Sequence, residues 1–305
     1  MGRRCGLLAL AGSLPLLIIG GCGRLSTGPN HSAETIIRVE GSDTMVNIAQ
    51  AWAETYRLQH TGVSVQVLGG GSGVGIASLT DGNCDMANTS RKMSSKEIEL
   101  AKSKRGGVPV EHIVGYDALA ICVHRDNPVE TISLEELAEM FGVGGETTHW
   151  GQLGVKGPLA AKPIVRVSRQ NSSGTYAYFR EAVLGKKRDL KLGSCDPSGS
   201  KDLVTLVSRT PGAIGYSGMG YMNDEVRVLK VSRRKGEPGV VPTVANVNNG
   251  TYPLSRPLQI YTIGQPTGAV KEYLAWIHGP EGQKVVFELG YVPTSEANAS
   301  AGGPK

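Results

Sequence analysis

Apolar positions in this chain fall in short blocks that switch between a two-residue and a three-to-four-residue period. Ile36 to Val39 is a compact run of the strand type. Gly41-Ser42-Asp43 follows. Met45, Ile48, Ala49, Trp52 and Tyr56 then recur at offsets of 3, 4, 7 and 11, which puts them on one face of a helix. Ser42 or Asp43 is suited to cap that helix, and Thr61-Gly62 to end it. Val63, Val65 and Val67 alternate with polar residues as one face of a strand. Gly69-Gly70-Gly71-Ser72-Gly73 then leads into a short helix over about Val74–Leu79. Strand, Gly/Ser loop and helix thus occur twice in succession, the signature of an α/β sheet.

The same grammar continues. Asp85–Asn88 reads as a strand running into Thr89-Ser90-Arg91, with a helix over about Ser95–Lys104. His112–Val123 is a long apolar strand. Ser133 with Glu136 forms a capping box for a helix through about Phe141. Ile164–Val167 feeds a third hydroxyl-rich loop, Ser168 to Thr175, with a helix from about Tyr176. Ala213–Tyr216 and Leu258–Thr262 are further strands, and helices close the chain over about Val270–His278 and Glu281–Leu289. No fixed period is present, which excludes a solenoid. Two α/β lobes fit 305 residues better than one sheet.

Composition narrows the class. Charged residues are 19% of the chain, too few for a disordered polyelectrolyte. The 42 glycines imply many tight turns and close backbone approaches. The formal net charge is +5, and removing residues 1–21 leaves 30 basic against 27 acidic residues, an excess too small and scattered for nucleic acid.

The first residues read as a targeting segment. Arg3 and Arg4 precede an apolar run from Leu7 to Ile19, too short to span a bilayer. Residues 1–21 are therefore expected to be a signal peptide. Ile19-Gly20-Gly21-Cys22 resembles the lipobox of bacterial lipoproteins, which implies that Cys22 carries lipid, palmitate included, and becomes the mature N-terminus. Residues 22–33 read as a lipid-anchored tether, and 294–305 as a disordered tail. Cys84, Cys122 and Cys195 remain in the mature chain, an odd set without metal spacing.

The three loops carry the chemistry. A helix start offers unpaired N–H groups and the positive end of a dipole, and Ser/Gly residues there let an oxyanion approach closely. Arg169 and Arg91 are the charged partners for such an anion, since a guanidinium matches two of its oxygens. Nucleotide motifs fail: Gly185-Lys186 is followed by Lys187, and Gly69–Gly75 does not satisfy G-x-G-x-x-G. Catalytic signatures fail as well. Ser217 lies in Gly-Tyr-Ser-Gly-Met, the six His show no H-E-x-x-H, and no acid/base carboxylate pair is evident. The expectation is a binding protein without metal or cofactor, neither an enzyme nor a phosphatase.

Gly41-Ser42-Asp43-Thr44, Gly70-Gly71-Ser72-Gly73, Ser168-Arg169-Gln170-Asn171-Ser172-Ser173-Gly174-Thr175 and Gly212-Ala213-Ile214-Gly215-Tyr216 stand in an order and spacing that resembles the substrate-binding protein of the phosphate ABC transporter. The resemblance covers about Glu34–Tyr291. It implies a two-lobed type II periplasmic-binding-protein fold, each lobe a mixed sheet flanked by helices, with two hinge crossovers near Ala118–Val123 and Arg256–Tyr261. Lobe 1 would hold 34–118 and 260–293, and lobe 2 would hold 119–259. The ligand-binding residues implied are Ser42, Thr44, Met45 (through its N–H), Ser72, Ser90 and Arg91 on lobe 1. Arg169, Ser173, Gly174 (N–H) and Thr175 would face them from lobe 2. The implied partners are inorganic phosphate, the ABC transporter permease and the membrane through Cys22, for a monomeric chain that does not bind nucleic acid.

This sequence departs from the family pattern at Ser90, where well-known members carry an Asp that accepts a hydrogen bond from the protonated ligand. Asp43 and Asp117 are the alternative acceptors. Asn171 stands where an acid often orients the arginine. Other tetrahedral oxyanions (sulfate, molybdate, tungstate) and a phosphate-sensing ectodomain are the competing expectations.

Overall fold

The computed structural model describes residues 34–294. The expected signal peptide, Cys22 and the tether lie outside the described residues, as does the tail from residue 295. Thr294, read as the first residue of that tail, is described: its N–H and hydroxyl donate to the Gln283 amide oxygen at 2.9 and 3.2 Å.

The first half of the chain builds β1 (Thr35–Gly41), α1 (Val46–Gln59), β2 (Val63–Leu68), α2 (Ser72–Asp81), β3 (Met86–Thr89) and α3 (Ser95–Arg105). The long strand β4 (Pro109–His124) follows. Then come β5 (Thr131–Ser133), α4 (Leu134–Phe141), β6 (Val165–Val167), α5 (Gly174–Phe179), α6 (Ser200–Arg209), β7 (Ala213–Gly218), β8 (Val226–Val228), β9 (Lys230–Ser232) and α7 (Val244–Asn248). The chain ends in β10 (Ser255–Ile263), α8 (Gly268–His278) and α9 (Pro280–Glu288).

The strands follow the order β2-β1-β3-β10-β4-β7-β6, with β8 also paired to β4, and β5 with β9 forms a separate parallel ribbon. β1 is parallel to β2 and β3, as repeated strand–helix crossovers require. β10 is antiparallel to both β3 and β4. β4 pairs with β10 up to Ala118 and with β7 from Leu119 onward, so one strand serves two sheets. The second passage lies beside it, where Leu119 N–H donates to the Leu254 carbonyl at 2.7 Å. β10 pairs with β4 from its first residue, Ser255 opposite Ala118. Residues 255–259 therefore sit in the first sheet, not in the second lobe as the sequence suggested.

Each sheet carries apolar clusters from helices on both faces. The face expected of α1 is buried: Met45, Ile48, Ala49, Trp52 and Tyr56 pack with Tyr273, Ile277 and Val286 of α8 and α9. The Trp52 indole N–H reaches the Gly282 carbonyl at 2.8 Å, which keeps this large side chain satisfied while buried. The opposite face holds Ile76, Leu79, Ala87 and Ala101. In the second sheet Leu119, Ile121, Phe141, Trp150 and Tyr216 form one core. Leu203, Val204 and Val207 of α6 cover the other face with Cys122 and Val167. α6 was not legible beforehand, because its short apolar stripe sits in a Gly- and Ser-rich stretch. Cys84, Cys122 and Cys195 are free thiols.

Candidate functional site

Four loops at strand ends converge. β1 ends at Gly41, whose φ of 139° suits glycine, and a Cβ there would strike the Asn88 carbonyl. That close approach lets Ser42 N–H donate to Asn88 O at 2.8 Å and brings the first loop against the end of β3. Asp43–Met45 forms a 3-10 turn before α1, and no side chain caps it. The expected capping by Ser42 or Asp43 is absent because both side chains have other partners. Ser42 Oγ donates to Ser90 Oγ at 3.0 Å, and Asp43 Oδ1 accepts the Gly70 N–H at 2.9 Å. The second loop turns through Gly70 and Gly71 at positive φ, so α2 begins at Ser72, two residues earlier than expected. Ser72 Oγ accepts the Ser90 N–H at 3.0 Å and lies 3.4 Å from Ser90 Oγ.

The third loop comes from the second half. Ser173 caps α5 by accepting the N–H groups of Thr175 and Tyr176 at 3.1 and 3.4 Å. It thereby presents Gly174 and Thr175 to the first half. Thr44 Oγ1 and Thr175 Oγ1 meet at 2.8 Å across 131 positions of sequence. A Cβ on Gly174 would overlap Ser72 Oγ and lie 2.6 Å from Ser90 Oγ, so only glycine permits this approach. The Gly73 N–H donates to the Ser172 carbonyl at 2.9 Å, a backbone contact between the same two loops. Ser42, Thr44, Ser72, Ser90, Ser173, Gly174 and Thr175 are all buried in one cluster drawn from both halves.

Two arginines flank the cluster. The Arg169 side chain is fully buried and forms an ion pair of 2.7 Å with Asp43 of the opposite half. Its other donors go to Ser200 Oγ at 3.0 Å, Pro197 O at 3.3 Å and Ser198 O. Burial holds its guanidinium below the usual value, and Asp43 opposes that shift. Asp43 thus fills the orienting role that the sequence pattern located at residue 171. Tyr221 donates its hydroxyl to the Asp43 carbonyl at 2.7 Å, and burial pushes that phenol up to about 12, which keeps it a donor. Tyr291 likewise donates to Thr44 O at 2.6 Å.

Arg256 was not legible as a site residue. Its guanidinium donates to Thr44 Oγ1 at 3.3 Å, Thr175 Oγ1 at 3.1 Å and Ser90 O at 3.4 Å. Asp117, directly opposite on β4, pairs with it at 2.9 Å. A signal existed: Arg256 is the one charged residue of β10, Asp117 lies in the apolar stretch of β4 from Ile113 onward, and buried charges require partners.

Two expected ligands are placed differently. Arg91 is held by Glu97 through bonds of 2.9 and 2.7 Å, and by the Lys92 carbonyl, instead of joining the hydroxyl cluster. Glu97 captures it because the capping box of α3 already fixes that carboxylate against Ser94. The Met45 N–H closes the 3-10 turn onto Ser42 O at 2.9 Å, and its side chain belongs to the first core. Among the described residues no group of three or more His, Cys, Asp or Glu could hold a metal ion.

The PBP superfamily domain model matches residues 28–281. The phosphate-binding protein PstS of Pseudomonas aeruginosa is 35% identical over 263 residues, 83% of this chain and 81% of that protein. The chain belongs to the phosphate-binding proteins of the PBP superfamily. Protein SphX of Synechococcus elongatus is also 35% identical, over 85% of this chain and 77% of its own length. A putative phosphate ABC transporter substrate-binding protein from Clostridium perfringens, solved with bound phosphate, superposes with a TM-score of 0.76 at 28% identity. That comparison covers 86% of this chain and all of the other. For a phosphate-binding protein the arrangement is chemically coherent: hydroxyl groups from both halves meet beside a buried guanidinium. The family consists of binding proteins for transport, not enzymes. No helix among the described residues is long and apolar enough to cross a membrane.

Proposed function

We propose that this chain captures inorganic phosphate outside the cytoplasm and delivers it to the permease of an ABC transporter. It does so as a monomer held to the membrane by lipid on Cys22. The observation that carries this reading is the meeting of Thr44, Ser42, Ser72 and Ser90 from one half with Thr175, Gly174 and Arg169 from the other. A small oxyanion engaging both sets stabilises the closed arrangement of the halves selectively, since only there do all donors reach it. The halves are residues 34–118 with β10 onward, and the segment between. Asp43 keeps Arg169 aimed across the cleft. Arg91 lies outside this mechanism.

A second reading, another tetrahedral oxyanion, is favoured by one feature. Ser90 both donates and accepts, so it penalises an unprotonated anion less than a carboxylate would. One titration tests both. Protein lacking residues 1–22 is stripped of ligand and titrated calorimetrically with phosphate, then with phosphate in about a 100-fold excess of sulfate, molybdate or tungstate. One-to-one binding that survives the competitors is expected. A flat phosphate titration refutes phosphate capture, and displacement by sulfate transfers the assignment to the second reading.

A further inference from the structure

Arg256 and Asp117 face each other across the two strands that carry the chain between the halves. They are paired residues of the β4–β10 ladder, one position inside the crossing at Ala118 and Ser255. Both side chains are essentially inaccessible, at 1% and 0% exposure. Asp117 accepts Nε at 3.2 Å and Nη2 at 2.9 Å on one oxygen, and the Met219 N–H at 3.1 Å on the other. The Tyr178 ring lies against the guanidinium, 5.4 Å from its carbon.

A buried ion pair is a poor stabilising device, because desolvating two charges cancels most of their attraction. Burial indeed pushes the Asp117 carboxyl up against the pull of Arg256. The remaining Arg256 donors show what the pair accomplishes. Nη2 reaches Thr44 Oγ1 and Thr175 Oγ1, one hydroxyl from each half, and Nη1 reaches Ser90 O. Arginine only donates, so both threonine oxygens serve it as acceptors. Of the two hydroxyl protons, one spans the 2.8 Å Thr44–Thr175 contact and the other is directed away from the cation.

We infer that Arg256 is a positioning and affinity-determining residue of the oxyanion site. Held by Asp117 at the hinge, it fixes the Thr44–Thr175 pair as a hydroxyl donor toward the anion and supplies positive charge directly behind it. The inference rests on the phosphate-capture reading for the identity of the anion, but not for the existence of the site. It also makes the hinge part of the site. Closure brings Thr175 to a cation that Thr44 already contacts, so the bridge between the halves assembles on Arg256.

The test uses calorimetric titration of ligand-stripped protein with inorganic phosphate. Removing one charge alone strands the other in the interior, so the informative variant is the neutral pair Asp117→Asn/Arg256→Gln, with Arg256→Lys as the charge-retaining companion. Thermal unfolding by circular dichroism identifies the variants that are folded. The neutral pair should bind phosphate at least tenfold more weakly than the parent, and Arg256→Lys should lose less. Thr175→Val, alone and in the neutral-pair background, completes a cycle. If Arg256 acts through Thr175, the combined loss falls short of the product of the separate losses. Parent-like phosphate affinity in the neutral pair, or multiplicative losses in the cycle, overturns the inference. If the neutral pair does not fold, Arg256→Lys and Thr175→Val form the cycle, with the same criterion. If the parent fails to bind phosphate but binds another oxyanion, the phosphate reading falls. The same variants measured with that anion then decide the role of Arg256.

Discussion

A single missing side chain sets how closely the two halves approach. Gly174 meets Ser72 and Ser90 where any Cβ would overlap their hydroxyls. Gly174→Ala should leave each half folded yet hold them apart, lowering phosphate affinity at least tenfold by calorimetry. Unchanged affinity would mean that the ligand-bound state does not use this approach. The two arginines named from sequence should separate sharply. Arg169→Ala removes a buried, charge-assisted contact worth about 1.5–3 kcal/mol, so affinity should fall at least tenfold. Arg91→Ala breaks only a partly exposed pair with Glu97, at 21% and 26% exposure, and should cost about 1 kcal/mol of stability or less with affinity retained. Equal losses for both would place Arg91 in the site. Arg169 stood out in the sequence because a hydroxyl-rich loop surrounds it, and the structure buries it against Asp43. Arg91 misled because a local loop motif does not reveal that a capping carboxylate will claim the side chain.

At the scale of elements, local signals were dependable where they were local in cause. The Ser133–Glu136 capping box forms as expected, with Ser133 Oγ accepting Glu136 N–H at 3.1 Å and the carboxylate returning to Ser133 N–H at 3.0 Å. Ser133→Ala should destabilise the fold by about 1 kcal/mol, read as a lowered urea midpoint at constant slope, with phosphate affinity unchanged. A changed affinity would tie α4 to the site, which its position does not suggest. The same motif at Ser94 and Glu97 was equally present in sequence and opens α3. The start of α1 shows the limit of such rules. Ser42 and Asp43 are good caps by type, yet both are drawn off by Ser90, Gly70 and Arg169. The site has taken the polar groups that would otherwise finish the helix.

Across the whole molecule, contacts between the halves exist within the protein itself. Arg169 with Asp43, Thr44 with Thr175, Tyr221 with the Asp43 carbonyl and Gly73 with Ser172 all cross the cleft. Asp43 takes part in two of these four, and its carboxylate makes the one ion pair among them. Asp43→Asn should therefore favour separation of the halves before ligand arrives. In small-angle scattering the stripped variant should have a larger radius of gyration than the stripped parent, and phosphate should shrink both. Identical radii for the two stripped proteins would show that the Asp43 bridge does not hold the halves together.

The sequence by itself determined the alternation of strands and helices, the face of α1 that enters the core, and the hydroxyl-rich loops with Arg169. These depend on period, capping and loop chemistry within a few residues. Only the tertiary structure decided which charges meet. Arg169 finds Asp43 across 126 positions, and Arg256 finds Asp117 across 139. No local rule selects partners at such separations, because the choice depends on which strand ends the sheet order brings together. The family resemblance had placed the first crossing near Ala118–Val123, and the pairing register fixes it: β4 leaves one sheet for the other after Ala118, next to the buried charge of Asp117. The strand itself runs on without interruption, so the change of its neighbours fixes the residue at which one half ends.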